Sequence, residues 1–141
     1  MINFKKDFDK EFHKVQKSML AHAEQLAANQ GISLDYTSGS IGALDSILVG
    51  IAREFEEANV PIDEIETNES AQGIAEAVGC YIAECIERQH GKGRWLKSED
   101  GYGFEIRSGA TVVYPMLWVM KKMLDPSGYS LEHTYNKWVK P

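Results

Sequence analysis

The chain has 141 residues and a formal net charge of −6, with 43% hydrophobic and 26% charged residues. This is the length and composition of a single globular domain, 1–141, and it excludes the disordered, low-complexity and collagen-like classes. No apolar run approaches the roughly 20 residues that cross a bilayer, and no apolar stretch follows the first lysines as in a secretory signal, so we expect a cytoplasmic protein without membrane contact.

The first part of the chain predicts two helices. Apolar residues recur at steps of three and four along residues 4–30, which is the pattern of one helical face. Gly31 can end this helix in the left-handed conformation. A second helix is predicted over 40–58. Val60-Pro61 follows it as a break, because proline disfavours the helical region for the residue before it.

The third predicted helix, 69–89, is the most apolar segment of the chain. Only two residues are charged within 73–86, and a helix that is apolar all round is normally buried on more than one side. Gly73 and Gly79 would let neighbouring elements approach closely. We therefore expect this helix to lie at the centre of the fold.

After residue 93 the hydrophobic period changes from helical to alternating. Strands are predicted at 94–97, 102–107 and 110–114, with turns at Asp100-Gly101 and Ser108-Gly109. Tight turns between consecutive strands make an antiparallel meander, and we expect one of its faces to pack on helix 69–89.

Two C-terminal helices complete the predicted fold. Pro115 can occupy the first turn of a helix that ends near Leu124, and Ser130 can cap a last short helix. The predicted class is α+β: N-terminal helices, a central buried helix, a three-stranded antiparallel meander and two C-terminal helices.

One local pattern joins the third helix to the first strand: Gly79-x-Tyr81-x-x-Glu84-x-x-x-Arg88-x-x-Gly91-x-x-x-Trp95. Glu84 and Arg88 are an i,i+4 ion pair in the favourable order. A buried carboxylate must be paired or hydrogen-bonded. We expect Glu84, Arg88 and Trp95 to be structural residues that tie the helix end to the strand. A binding or catalytic carboxylate and a simply exposed one remain alternatives.

This pattern, followed by the meander and by a proline-started helix with Val119 and Lys121, resembles a group of small uncharacterised bacterial domains. Some similar domains are encoded beside secreted toxins and act as immunity proteins. The resemblance covers roughly residues 74–138. It implies a bacterial cytosolic context and a protein partner, and it carries over no catalytic residues.

Acidic residues are concentrated in the middle of the chain. Residues 32–90 contain twelve acids and two arginines, and seven of the acids lie between 54 and 69. Such a segment repels phosphate backbones, which argues against nucleic-acid binding, and attracts a basic protein. The alternative is a solvated surface that serves solubility alone. The predicted partner-binding residues are five acids with two apolar anchors: Glu54, Glu56, Glu57, Val60, Ile62, Glu64 and Glu66.

The sequence has no recognisable catalytic or metal-binding motif. It lacks H-E-x-x-H, Walker, dinucleotide and G-x-S-x-G patterns, and its four histidines do not have metal-ligand spacing. Cys80 and Cys85 point about 140° apart on a helix, so they cannot form a disulfide within it. We expect two buried thiols, histidines that are solvated or packed, and no metal, cofactor or catalytic residue.

Three function classes follow from these observations. The first is a non-catalytic interaction protein, and most specifically an immunity protein that neutralises a basic toxin through the acidic surface. The second is a small enzyme with a site between the central helix and the sheet, for which the candidates are Glu84, His90, Tyr102 and Arg107. The third is a structural or scaffold homo-oligomer, such as a homodimer, that uses exposed Trp118, Met120 or Trp138.

Overall fold

The computed structural model describes residues 4–99, 101–107 and 111–139. These residues form five α-helices and a three-stranded antiparallel sheet, so the predicted α+β class and order of elements are confirmed. The elements are α1 (Phe4–Ala28), α2 (Ser40–Glu57), α3 (Glu69–His90), β1 (Arg94–Ser98), β2 (Gly101–Glu105), β3 (Val112–Val113), α4 (Pro115–Leu124) and α5 (Leu131–Trp138), with a 3-10 turn at Ile62–Glu64. None of the helices in this part of the chain is long and apolar enough to cross a membrane.

Helix α3 lies at the centre of the fold, where it packs against α1 and α4, as predicted. Every residue from Ala77 to Ile86 is buried. Cys80 and Cys85 are among them, and burial raises the pKa of their thiols to about 12 and about 11. Both thiols therefore stay protonated at neutral pH, as expected of small core residues.

At Gly79, helix α3 comes close to the first residues of α4. A Cβ at this position would lie 3.0 Å from both the backbone N and the Cα of Met116. The expectation of close packing is confirmed for Gly79. It is wrong for Gly73, where a Cβ would meet nothing within 4 Å.

These two glycines give a matched pair of substitutions on one helix. Gly79→Ala should lower the free energy of unfolding by about 1–3 kcal/mol, because the new methyl group forces the α4 backbone away from α3. Gly73→Ala should instead raise it by up to about 1 kcal/mol through better helix propensity. Urea unfolding of both variants tests the difference. Equal stabilities would contradict the close contact with Met116.

The sheet packs mainly on α1, and the prediction that it packs on helix 69–89 is wrong. Trp95 and Phe104 are opposite each other on β1 and β2, and both are fully buried. The Trp95 ring centroid lies 4.6 Å from that of Phe12 in α1, and the Tyr102 ring lies 4.7 Å from Phe12. Helix α3 is already covered by α1 and α4, so the aromatic stripe of α1 receives the sheet instead.

Antiparallel pairing in the order β1-β2-β3 confirms the meander. The strands begin and end within two residues of the predicted limits, and β3 contains Val112–Val113. Residue Asp100 of the first predicted turn, and residues 108–110 of the second turn and third strand, lie outside the described residues.

A charge pair between buried Lys122 and half-buried Asp45 attaches α5 to the rest of the domain. Lys122 of α4 is 6% exposed, and its Nζ donates to two backbone carbonyls of the α4–α5 loop at 2.6 and 2.7 Å. The same Nζ lies 3.5 Å from Asp45 Oδ1 of α2. The Asp45 carboxylate also accepts hydrogen bonds from the backbone N–H groups of Leu131 and Glu132, at 2.7 and 3.0 Å. The pair therefore holds the start of α5 against α2.

The residues suggested for a homodimer do not form one exposed set. Trp118 is only 7% exposed and belongs to the core, so the expectation that it is exposed is wrong. Met120 is half-buried, and Trp138 on α5 is 53% exposed.

Candidate functional site

Glu84 lies in a polar cluster between α1 and α3, although its neighbours in sequence are apolar. It is 5% exposed. Its carboxylate accepts hydrogen bonds from Lys17 Nζ at 2.6 Å, Gln16 Nε2 at 2.9 Å and Arg88 Nε at 3.1 Å. The expected burial and the expected contact with Arg88 are both observed. Trp95 reaches Glu84 only through Gln16.

Gln16 is the residue at which α1, α3 and β1 meet. It is fully buried. Its Oε1 accepts the indole N–H of Trp95 at 2.8 Å. Its Nε2 donates to Glu84 Oε1 at 2.9 Å and to Glu87 Oε1 at 2.6 Å. One buried amide therefore bonds to two carboxylates and to an indole N–H.

His13 and Glu87 extend this network to the loop before β1. His13 Nε2 lies 2.9 Å from Glu87 Oε2, and Nδ1 lies 3.0 Å from both the backbone carbonyl and a carboxylate oxygen of Asp9. Glu87 Oε2 also accepts the backbone N–H of Gly93 at 2.8 Å, and Asp9 Oδ1 accepts the backbone N–H of Trp95 at 2.7 Å. We call Asp9, His13, Gln16, Lys17, Glu84, Glu87 and Arg88 the α1–α3 polar cluster.

Of this cluster, only Glu84 and Arg88 are predicted by a local sequence pattern. His13 is predicted only to be solvated or packed. The spacing of Gln16 could have identified it as a buried residue, because Gln16 follows Phe12 by four residues and precedes Met19 by three. It is thus a polar residue within the apolar stripe of α1. The partners on α3 and β1 are more than 60 residues away, and no local pattern identifies them.

The charges of the cluster stabilise one another. Burial alone would raise the pKa of Glu84, but hydrogen bonds from Lys17, Gln16 and Arg88 outweigh it and hold the pKa below its usual value. The pKa of Glu87 is also lowered: burial opposes the shift, and hydrogen bonds from His13, Gln16 and the Gly93 amide more than offset it. The hydrogen bond to Glu87 raises the pKa of His13 against the opposing effect of burial. Both carboxylates are therefore ionised at neutral pH.

The raised pKa of His13 predicts a pH dependence of stability. The folded state favours protonated His13, which therefore adds to the free energy of unfolding. This contribution is fully present below the ordinary pKa of 6.5 and is lost as pH rises through the pKa of His13 in the folded protein. We expect His13→Gln to remove this alkaline loss. The measurement is urea unfolding between about pH 5 and pH 9. Glu84 and Glu87 act in the opposite range, since their contributions are lost as pH falls through their lowered folded pKa values.

His22→Gln is the matched control for this experiment, because His22 is exposed on the same helix. It should keep the pH profile of the unsubstituted protein. A His13→Gln profile identical to that of the unsubstituted protein would contradict the role assigned to the His13–Glu87 contact.

The polar groups of the cluster are bonded to one another and to backbone groups. Both ring nitrogens of His13 contact carboxylate or carbonyl oxygens of Asp9 and Glu87. A shallow cavity of about 450 Å³ lies over the cluster, and Lys17, Arg88 and Lys92 border it. Among the described residues, no group of three or more His, Cys, Asp or Glu side chains is arranged to hold a metal ion.

The four residues considered for an enzyme are not brought together. Glu84 borders the cavity over the polar cluster. Tyr102 borders a cavity between α3 and α4. Arg107 is exposed and borders a third cavity, next to Asp9 and Glu105. His90 is half-buried at the end of α3.

The predicted partner-binding residues lie at the end of α2 and in the segment that leads to α3. All five carboxylates, Glu54, Glu56, Glu57, Glu64 and Glu66, are exposed. Ile62 is 61% exposed and Val60 is half-buried. Both line a cavity of about 490 Å³ together with Glu56 and with Met123 of α4. We call these seven predicted residues the acidic surface.

The carboxylates of the acidic surface differ from those of the polar cluster in forming no salt bridge among the described residues. Seven salt bridges occur among the described residues, and none of them includes Glu54, Glu56, Glu57, Glu64 or Glu66. Their charge is therefore directed to solvent, whereas Glu84 and Glu87 are neutralised within the fold.

Comparison with protein-family models, with curated proteins and with solved structures finds no match to this chain.

Proposed function

We propose that this domain is a non-catalytic interaction protein of the bacterial cytoplasm, an immunity protein that binds and neutralises a basic toxin. The observation that supports this most directly is Ile62. A large apolar side chain is 61% exposed at the border of a cavity and lies within a run of carboxylates that form no salt bridge among the described residues. An apolar centre with a charged surround is the usual composition of a protein interface.

The acidic surface has a clear role in such a complex. Like charges close together repel one another, so five exposed carboxylates over residues 54–66 do not stabilise the fold. Complementary potentials accelerate the encounter with a basic protein and reject acidic competitors. Val60 and Ile62 would then supply the desolvated contact that slows dissociation.

The test is the association rate with the cognate toxin, identified by pull-down from the native host followed by mass spectrometry. Reversing three charges, with Glu56, Glu57 and Glu64 all changed to Lys, should slow association at low salt by at least about tenfold and flatten its salt dependence. Stopped-flow fluorescence measures the rate, and thermal unfolding confirms that the fold is intact.

The matched control reverses three exposed acids elsewhere, Glu11, Glu99 and Glu132. It has the same net charge as the first variant and should associate much faster. Equal rates for the two variants would remove the acidic surface from the proposal. Undiminished toxicity in the presence of the domain would remove the immunity function itself.

A further inference from the structure

Helix α4 carries a stripe of methionines that lines two cavities of the surface. Met116, Met120 and Met123 are spaced by four and three residues, so they lie on one face of the helix. Met116 and Met120 line a cavity of about 400 Å³ between α3, β2 and α4. Met123, which is only 1% exposed, lies at the base of the cavity of about 490 Å³ that Ile62 also lines. We call the two cavities and this stripe the methionine groove.

Most of the exposed large apolar side chains of the described residues lie along the groove. Four large apolar side chains are exposed in the described part of the chain. Ile62 borders one cavity, and Tyr102 and Leu117 border the other. The fourth, Trp138, is on α5. A grouping of exposed apolar residues around concave surface is typical of interaction sites.

All of the charged residues that line the groove are acidic. Glu66 and Glu76 border the first cavity and Glu56 borders the second, and neither cavity is lined by Lys, Arg or His. Glu56 and Glu66 also belong to the acidic surface, so the groove is continuous with it. A second copy of this chain would bring carboxylates against carboxylates here, whereas a basic partner would neutralise them.

We infer that the methionine groove binds a basic amphipathic helix of the partner, with one apolar side chain in each cavity. Met116 and Met123 are seven residues apart, which is about 10 Å along a helix. A partner helix laid along the groove would match this distance with apolar residues at i and i+7. Unbranched methionine side chains adapt to the shape of such residues. The inference rests on the proposed function and specifies the partner's contact.

The experiment uses the whole domain labelled with ¹³C at the methionine methyl groups. The probe is a lysine-rich peptide of about 15 residues, long enough for a helix, with leucines at i, i+3 or i+4, and i+7. We expect the methyl signals of Met116, Met120 and Met123 to shift, while that of Met19 on α1 stays in place. A peptide of the same composition, with its leucines distributed around the helix, should bind at least tenfold more weakly.

Leu117→Lys should weaken binding of the matched peptide at least tenfold, because it adds a positive charge to an exposed position of the groove. Trp138→Lys, an exposed apolar position outside the groove, should have little effect. Methionine signals that do not move, equal binding of the two peptides, or equal effects of the two substitutions would overturn the inference. If the cognate toxin binds with the charge dependence described above but leaves these signals unmoved, the groove is wrong and the proposed function stands.

Discussion

Replacing Gln16 with leucine should lower the free energy of unfolding by about 3 kcal/mol, the largest effect that we expect from a single conservative change. Leucine has a similar size and fits the apolar stripe of α1. It cannot accept the indole N–H of Trp95, and it cannot donate to Glu84 and Glu87. A buried donor without a partner costs about 1–3 kcal/mol, and hydrogen bonds to charged groups contribute about 1.5–3 kcal/mol.

Chemical denaturation with tryptophan fluorescence measures this loss, which corresponds to a decrease in melting temperature of roughly 10 °C for a chain of this size. Gln25→Leu is the control, because Gln25 is exposed on the same helix and bonds only to exposed Asn29 among the described contacts. Its stability should change by less than about 0.5 kcal/mol. Equal losses in the two variants would show that the amide of Gln16 does not join the three elements.

Asp45→Ala should lower the free energy of unfolding by a similar amount, about 3 kcal/mol, and should detach α5. Removing one partner of a buried ion pair typically costs about 3–5 kcal/mol, because the remaining charge stays buried without compensation. Lys122 would keep its two carbonyl acceptors, which places the expected loss at the lower end. The N–H groups of Leu131 and Glu132 would lose their acceptor.

Hydrogen exchange distinguishes a local loss from a general one. The amides of α5 should exchange faster in the Asp45→Ala variant by a larger factor than those of α3. Asp63→Ala, in the exposed 3-10 turn, serves as the control and should leave both helices as they are. Uniform acceleration over α3 and α5 would contradict a specific attachment of α5 by Asp45.

The helices could be predicted from the sequence because each has a strong local signal. The apolar stripe of α1, the almost uncharged α3 and Pro115 at the start of α4 are all patterns within a few turns of chain. The meander was also predictable, since alternating residues between tight turns favour it. The prediction of which helix the sheet packs on was wrong, because the sheet packs on Phe12 of α1 rather than on α3. That contact depends on how three helices bury their apolar faces against one another, which no local pattern specifies.

The candidate sites also differ in whether a local sequence pattern predicts them. The local density of acidic residues predicts the acidic surface. Carboxylates so close together in sequence are also expected to be exposed to solvent. The polar cluster could be predicted only through Glu84 and Arg88, which are four residues apart. Gln16 and His13 join it through contacts that span 68 to 79 residues. The cavities along α4 likewise combine side chains from distant segments.

The bonds of α1 to the strand also constrain the order of events during synthesis. Asp9 Oδ1 accepts the backbone N–H of Trp95, 86 residues later. Gln16 Oε1 accepts the indole N–H of the same residue. At roughly 5–20 residues per second, a ribosome needs several seconds to make that stretch of chain. Through most of this interval the aromatic residues of α1 have no strand to pack on, and His13 and Gln16 have no carboxylate partner on α3. Asp45 and Leu131 are separated by the same 86 residues, so the domain closes only when almost all of it has been synthesised.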